Sequence, residues 1–188
     1  MSPHAPHKVK PPFVVALGEW TRRPGTRLEV VLEARADELV DELSVSGSHV
    51  APEQTITVEA ALEIVPGGVV ASGIARTAWE GECRRCLVAA TGELEVSFTE
   101  LCVAHPDDEV TYAVGAHEID LEPLVHDACI LELPLAPLCR PDCAGLCPEC
   151  GVDRNHERCA CAPSLDGRFA ALAALYDEGP SREDPAEN

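Results

Sequence analysis

Residues 137–161 read PLCRPDCAGLCPECGVDRNHERCAC. Cys139, Cys143, Cys147, Cys150, Cys159 and Cys161 fall within 23 residues there, at spacings C-x3-C-x3-C-x2-C-x8-C-x-C. At its centre stands Cys147-Pro148-Glu149-Cys150-Gly151. Two thiolates separated by two residues can wrap one ion, and the glycine after them supplies a tight turn because it has no Cβ to clash at positive φ. Zinc favours four soft ligands in a tetrahedron, with Zn–S at about 2.3 Å. The stretch carries enough sulfur for such a set, so it reads as a loop organised by metal rather than by an apolar core.

Four more cysteines lie upstream, at Cys83, Cys86, Cys102 and Cys129. A secreted disulfide scaffold would also be cysteine-rich. The opening MSPHAPHKVKPP, however, contains no apolar run of the signal-peptide kind. No window is apolar enough for a membrane span. A thiol-rich chain in a reducing cytosol is expected to bind metal. Eight cysteines form close pairs: Cys83/Cys86, Cys139/Cys143, Cys147/Cys150 and Cys159/Cys161. Four pairs suffice for two tetrahedral zinc sites. The expected grouping puts Cys147, Cys150, Cys159 and Cys161 on one ion and Cys83, Cys86, Cys139 and Cys143 on the other. The C-x3-C pair can instead share in one compact cluster, and His156 can stand in for Cys159 or Cys161. Cys102 and Cys129 are left as small buried hydrophobes.

With 188 residues the chain can bury a sizeable core, but aromatics make up only 4%, so that core must be aliphatic. From Gln54 the pattern alternates: Ile56, Val58, Ala60, Leu62 and Ile64 share one face, a half-buried strand. Pro66-Gly67-Gly68 makes a hairpin turn, and 69–80 returns as a strand. Cys83-Arg84-Arg85-Cys86 falls in the next turn, and 93–100 alternates again. Residues 28–33 add an earlier strand, and 34–43 is expected to be a short helix. Asp120 reads as an N-cap for a helix over 120–133, with Leu121, Leu124, Val125, Ala128 and Leu131 on one face, ended by Pro134. A closing helix is expected over 166–176.

The expected fold is therefore α+β: an antiparallel β-sheet meander or partial barrel, one amphipathic helix, and a C-terminal cysteine-rich zinc-ribbon-like segment. In domain terms this means a disordered arm over 1–12 and a core over 13–134 with its knuckle at 83–86. A metal-binding segment with its closing helix follows over 135–178, and a disordered acidic tail over 179–188.

Thirty-three acids against fourteen bases give a formal charge of −19. Each zinc bound by four thiolates adds about −2, taking the total towards about −23. Phosphate backbones repel such a surface. Yet Arg84, Arg85, Arg140, Arg154 and Arg158 crowd the proposed metal loops. These arginines either form a local positive patch for RNA phosphate contacts or offset thiolate charge where they stand. No phosphate loop, G-x-S-x-G or H-E-x-x-H occurs, and a zinc with four thiolates has no open position for water, so no enzyme is expected. Two alternatives compete: a thiol–disulfide oxidoreductase using Cys83 and Cys86, and a zinc-stapled protein-interaction adaptor. Redox motifs belong at a helix N-terminus after a strand, whereas this pair joins antiparallel strands.

The motif string carries a family resemblance. After the C-x-x-C of Cys83 and Cys86 come Ile119-Asp120-Leu121, then Leu133-Pro134 and Pro137. Cys139, Cys143, Gly145-Leu146-Cys147-Pro148, Cys150-Gly151 and Asn155 follow, and Cys159, Cys161, Asp166, Arg168 and Phe169 close it. The chain resembles the YceD family, the large ribosomal RNA subunit accumulation proteins, over about residues 75–175. That resemblance implies a cytoplasmic, non-enzymatic factor for 23S ribosomal RNA accumulation or processing. Its partners would be the large-subunit precursor or 23S rRNA, met directly or through a ribosomal protein.

Overall fold

The computed structural model describes residues 11–18, 24–106, 112–161 and 168. The expected closing helix (apart from Arg168), the acidic tail, nearly all of the arm, and Arg22 and Arg23 lie outside the described residues. The chain forms two compact units, Met1–Gly145 and Leu146–Asn188. Cys139 and Cys143 thus belong to the first.

In the first unit seven strands are described: β1 Val14–Ala16, β2 Arg27–Arg35, β3 Ser48–His49, β4 Thr55–Val65, β5 Gly68–Glu82, β6 Ala89–Val103 and β7 Glu118–Asp120. One helix, α1, spans Glu122–Glu132. All strand pairs are antiparallel. β5 is the axis of the main sheet: β4 pairs with its first half, β3 continues that edge at Gly81 and Glu80, and β6 runs along the other edge. β2 lies outside β4, and β1 pairs with β7 in a separate two-stranded sheet. The expected meander is present, as an α+β fold that is mostly antiparallel sheet.

Alternation in the sequence explains why these segments are strands with one wet face. Ile56, Val58, Ala60, Leu62 and Ile64 of β4 are buried, as are Val69, Ala71 and Ala75 of β5 and Leu94, Val96 and Phe98 of β6. Successive side chains point to opposite faces, so Glu59, Glu63, Glu95 and Thr99 are turned to solvent. Pro66-Gly67 connects Val65 to Gly68 as a two-residue turn. Gly73 is demanded by close approach: a Cβ there would lie 2.3 Å from the Glu59 carbonyl oxygen and 2.9 Å from the Phe98 ring.

Three local expectations need correction. Residues 34–43 are not a helix. β2 holds its register with β4 through Ala34↔Ile56 and Arg35↔Thr55, and only a short 3-10 turn, Ala36–Glu38, follows. The acids there carry no helical apolar stripe, so pairing with β4 wins. The helix also starts two residues later than expected, because Asp120 ends β7 opposite Val14. The Asp120 carboxylate nonetheless accepts the Glu122 backbone N–H at 2.9 Å, as a capping residue would. α1 packs against β6 through its buried side, Leu124, Val125 and Cys129. Leu131, expected on that face, is 83% exposed.

Candidate metal centres

The first centre is built where β5 turns into β6. Cys83 follows the last residue of β5, Cys86 closes the turn, and Cys139 and Cys143 come from the loop after α1. The four sulfurs lie within 4.8 Å of one another. Cys83 Sγ is 3.8 Å from Cys143 Sγ, and Cys86 Sγ is 3.5 Å from Cys139 Sγ. A tetrahedron with Zn–S near 2.3 Å has S–S edges of about 3.8 Å, whereas a disulfide closes to about 2.0 Å. All ten cysteines are free thiols. The gaps suit shared coordination of one ion.

One main-chain bond and one side-chain bond hold the loop to the knuckle. The Arg84 N–H donates to the Pro137 carbonyl at 3.0 Å, and Arg85 Nη1 donates to the Cys143 carbonyl at 2.8 Å. Arg85 therefore spends part of its guanidinium on closing the cysteine loop. Arg84 is exposed, and Arg140 is exposed with its side chain 3.4 Å from Asp142.

The second centre lies wholly in the second unit. Cys147, Cys150, Cys159 and Cys161 also bring their sulfurs within 4.8 Å. Cys147 is the one buried residue among the described residues 146–161. His156 is exposed, with Nε2 3.7 Å from Asp153 and outside the sulfur set. Arg154 and Arg158 are exposed. An antiparallel bridge, Leu146↔Asp153, closes the base of the loop.

The two C-x-x-C segments fold alike although they lie in different units. In one, Leu87 N–H donates to the Cys83 carbonyl at 2.8 Å and Cys83 N–H to the Val88 carbonyl at 2.8 Å. In the other, Gly151 N–H donates to Cys147 at 2.9 Å and Cys147 N–H to Val152 at 2.8 Å. The residue after each second cysteine is left-handed: φ is +63° at Leu87 and +73° at Gly151. Glycine takes this conformation freely, but a Cβ there meets the following carbonyl, at a cost of roughly 1–2 kcal/mol. Leu87 bears that strain while its side chain is 59% exposed. Leu87→Gly is expected to stabilise the first unit by about 1 kcal/mol, measured by chemical denaturation of metal-loaded protein. Sequence reading singled out Gly151 and passed over Leu87, whose signal was its matching place in C-R-R-C-L.

Crowded thiols titrate against one another. Burial pushes the Cys83 thiol up, but the backbone amides of Cys139, Cys86 and Arg85 more than offset this and bring it to about 6. Burial and the Cys86 sulfur raise Cys139 to about 12. The Val88 amide pulls Cys86 down, yet burial and its sulfur neighbours leave it raised. The second centre repeats the pattern: the Cys150 and Glu149 amides hold Cys147 at about 6, and the Cys150 sulfur pushes Cys161 to about 12. Cys83 and Cys147 ionise readily, whereas Cys86, Cys139, Cys159 and Cys161 resist adding charge beside them. A divalent cation among the sulfurs removes that conflict, so the donor chemistry fits a metal. Burial alone lifts Cys129 to about 11, and burial with the Glu100 charge does the same for Cys102; both behave as packed apolar groups.

The CRRC turn has no helix at its end and runs straight into β6. Cys83 is 0% exposed. A disulfide substrate could not reach its sulfur, so the arrangement does not favour exchange chemistry.

Comparison with known proteins places these features in a family. The model of the large ribosomal RNA subunit accumulation protein YceD matches residues 71–176. An uncharacterised protein of Mycobacterium tuberculosis is 35% identical over 184 residues, 92% of this chain and 86% of the relative. Two chloroplastic proteins named large ribosomal RNA subunit accumulation protein YCED homolog 1 match shorter stretches. That of Zea mays is 36% identical over 71 residues, 37% of this chain and 24% of its own length. That of Arabidopsis thaliana is 29% identical over 78 residues, 41% and 24% respectively. No solved structure matches. The matched span contains both sulfur sets, both knuckle turns and α1, and the chain belongs to the YceD family of large ribosomal RNA subunit accumulation proteins.

Proposed function

We propose that this protein is a non-enzymatic, zinc-stabilised factor for 23S ribosomal RNA accumulation and large ribosomal subunit assembly, acting in the cytoplasm. The family membership carries the ribosomal part of this reading. Two sets of four sulfurs carry the zinc part, since thiolate tetrahedra suit zinc and leave no position for a reacting water. Among the described residues no helix is long and apolar enough to cross a membrane.

In this reading Cys83, Cys86, Cys139 and Cys143 hold one zinc, and Cys147, Cys150, Cys159 and Cys161 hold the other in a zinc-ribbon-like segment. Bound zinc supplies a fixed cross-link between distant chain segments. Arg84, Arg85, Arg140, Arg154 and Arg158 are candidate contacts with the precursor. Contact through a ribosomal protein is favoured over unaided RNA binding, because a chain of net charge −19 is repelled by phosphate.

Depletion followed by sucrose-gradient profiling tests the proposal. Large-subunit precursors are expected to accumulate and mature 23S rRNA to fall; an unchanged profile would refute the ribosomal role. Metal analysis of the protein purified under reducing conditions should find two equivalents of zinc, and reductase activity towards insulin disulfides would favour the oxidoreductase reading instead.

A further inference from the structure

We infer that the groove beside Leu87 docks a basic segment of a protein partner, with Leu87 as its apolar wall. This deepens the proposed ribosomal role and rests on it. The groove, of about 630 Å³, crosses the solvent face of the main sheet where β3, β5 and β6 meet the first knuckle. Its lining includes His49, Glu80, Glu82, Leu87 and Thr91. Strand register explains the arrangement. His49 lies opposite Glu80, Glu80 opposite Thr91, and Glu82 opposite Ala89, so one row of the sheet crosses the groove floor.

Three observations select the occupant. First, Leu87 keeps a left-handed backbone where glycine would be relaxed, and it gains no burial in return. Its side chain is 59% exposed and that of neighbouring Val88 47%. Strain of this kind persists where it serves a contact made elsewhere. Second, an exposed aliphatic pair needs an apolar counterpart, which a protein supplies and a phosphate backbone does not. Third, Glu80 and Glu82 line the groove, and both are exposed. His49 Nε2, 3.1 Å from Glu80, answers only part of that charge. Of the two arginines in the knuckle, Arg85 donates to the Cys143 carbonyl, and neither Arg84 nor Arg85 lines the groove. An acidic groove with an apolar wall, on a chain of charge −19, complements a lysine- or arginine-bearing segment that carries an apolar side chain.

The test uses the full-length, zinc-loaded chain and the individually purified, rRNA-free proteins of a mycobacterial large subunit. At least one is expected to bind. Leu87→Gly should weaken that binding about tenfold, although its denaturation midpoint does not fall and its zinc content is unchanged. Glu80→Lys and Glu82→Lys should each weaken it by a similar factor and flatten its salt dependence. If none of these proteins binds, if binding ignores all three substitutions, or if Leu87→Gly impairs only binding to a 23S rRNA fragment, the groove assignment is overturned. A depletion that blocks subunit assembly beside a failed binding series sinks the groove and spares the ribosomal role. A normal depletion profile beside a binding series that obeys the pattern does the reverse.

Discussion

Cys147→Ser is expected to strip order from residues 146–161 while the five-stranded sheet stays folded. Among those residues only Cys147 is buried, so the segment has no apolar core to fall back on. Backbone bonds within it are local, from Cys147 to Val152, from Gly151 to Cys147, and from His156 and Glu157 to Asp153. What brings Cys159 and Cys161 to the knuckle is the gathering of four sulfurs. Structural zinc contributes on the order of 10 kcal/mol in small sites of this kind, so losing a ligand removes most of what orders the loop. Zinc content should fall from two equivalents to about one, matching the two sulfur sets. Trypsin should cut after Arg154 and Arg158 at least about tenfold faster than in the parent protein, since cleavage follows the population of the open form. A variant that loses no zinc and resists trypsin like the parent would refute the ligand assignment. A strong chelator should reproduce the cleavage pattern in the unmodified chain.

Cys83→Ser is expected to act on the other unit, and globally. Cys83 is fully buried at the end of β5, and its sulfur lies 3.8 Å from that of Cys143, sixty residues away along the chain. Serine there removes a proposed zinc ligand and leaves a hydroxyl in place of the sulfur, so the knuckle keeps only its hydrogen bonds from Arg84 and Arg85 to the loop after α1. The destabilisation should be about 3 kcal/mol or more, lowering Tm by roughly 10 °C. The sheet should still fold, because β4, β5 and β6 bury a continuous apolar core that includes none of the eight clustered cysteines. Cys102→Ala is the control: it removes a buried thiol from that core, costs packing alone, and leaves both zinc ions in place. Equal zinc loss in the two variants would contradict the separation of Cys102 from the metal centres.

Most of the sheet was legible because strand alternation is a local property. Ile56 to Ile64 show their buried face in the bare sequence, and the Pro66-Gly67 turn marks where the chain reverses. The segment over 34–43 was misread because it carries charges without a periodic apolar face. Only the partner strand, through Ala34↔Ile56 and Arg35↔Thr55, decides that the first two of its residues stay in β2, after which a short 3-10 turn follows. Leu131 was misplaced for a related reason: α1 presents its buried side to β6, and the sequence of the helix alone leaves the edge of that side undefined.

Cysteine spacing by itself determined that this chain carries four paired sulfur groups, because one to three residues between thiols is a distance that the backbone can close locally. Which pair meets which is a long-range matter. Cys86 and Cys139 are 53 residues apart, and their 3.5 Å approach exists because β5, β6 and the loop after α1 converge at one end of the sheet. The left-handed Leu87 is likewise invisible in its own residue type. Closure of the knuckle, through two main-chain bonds fixed by the sheet below it, imposes that conformation on whatever residue follows Cys86.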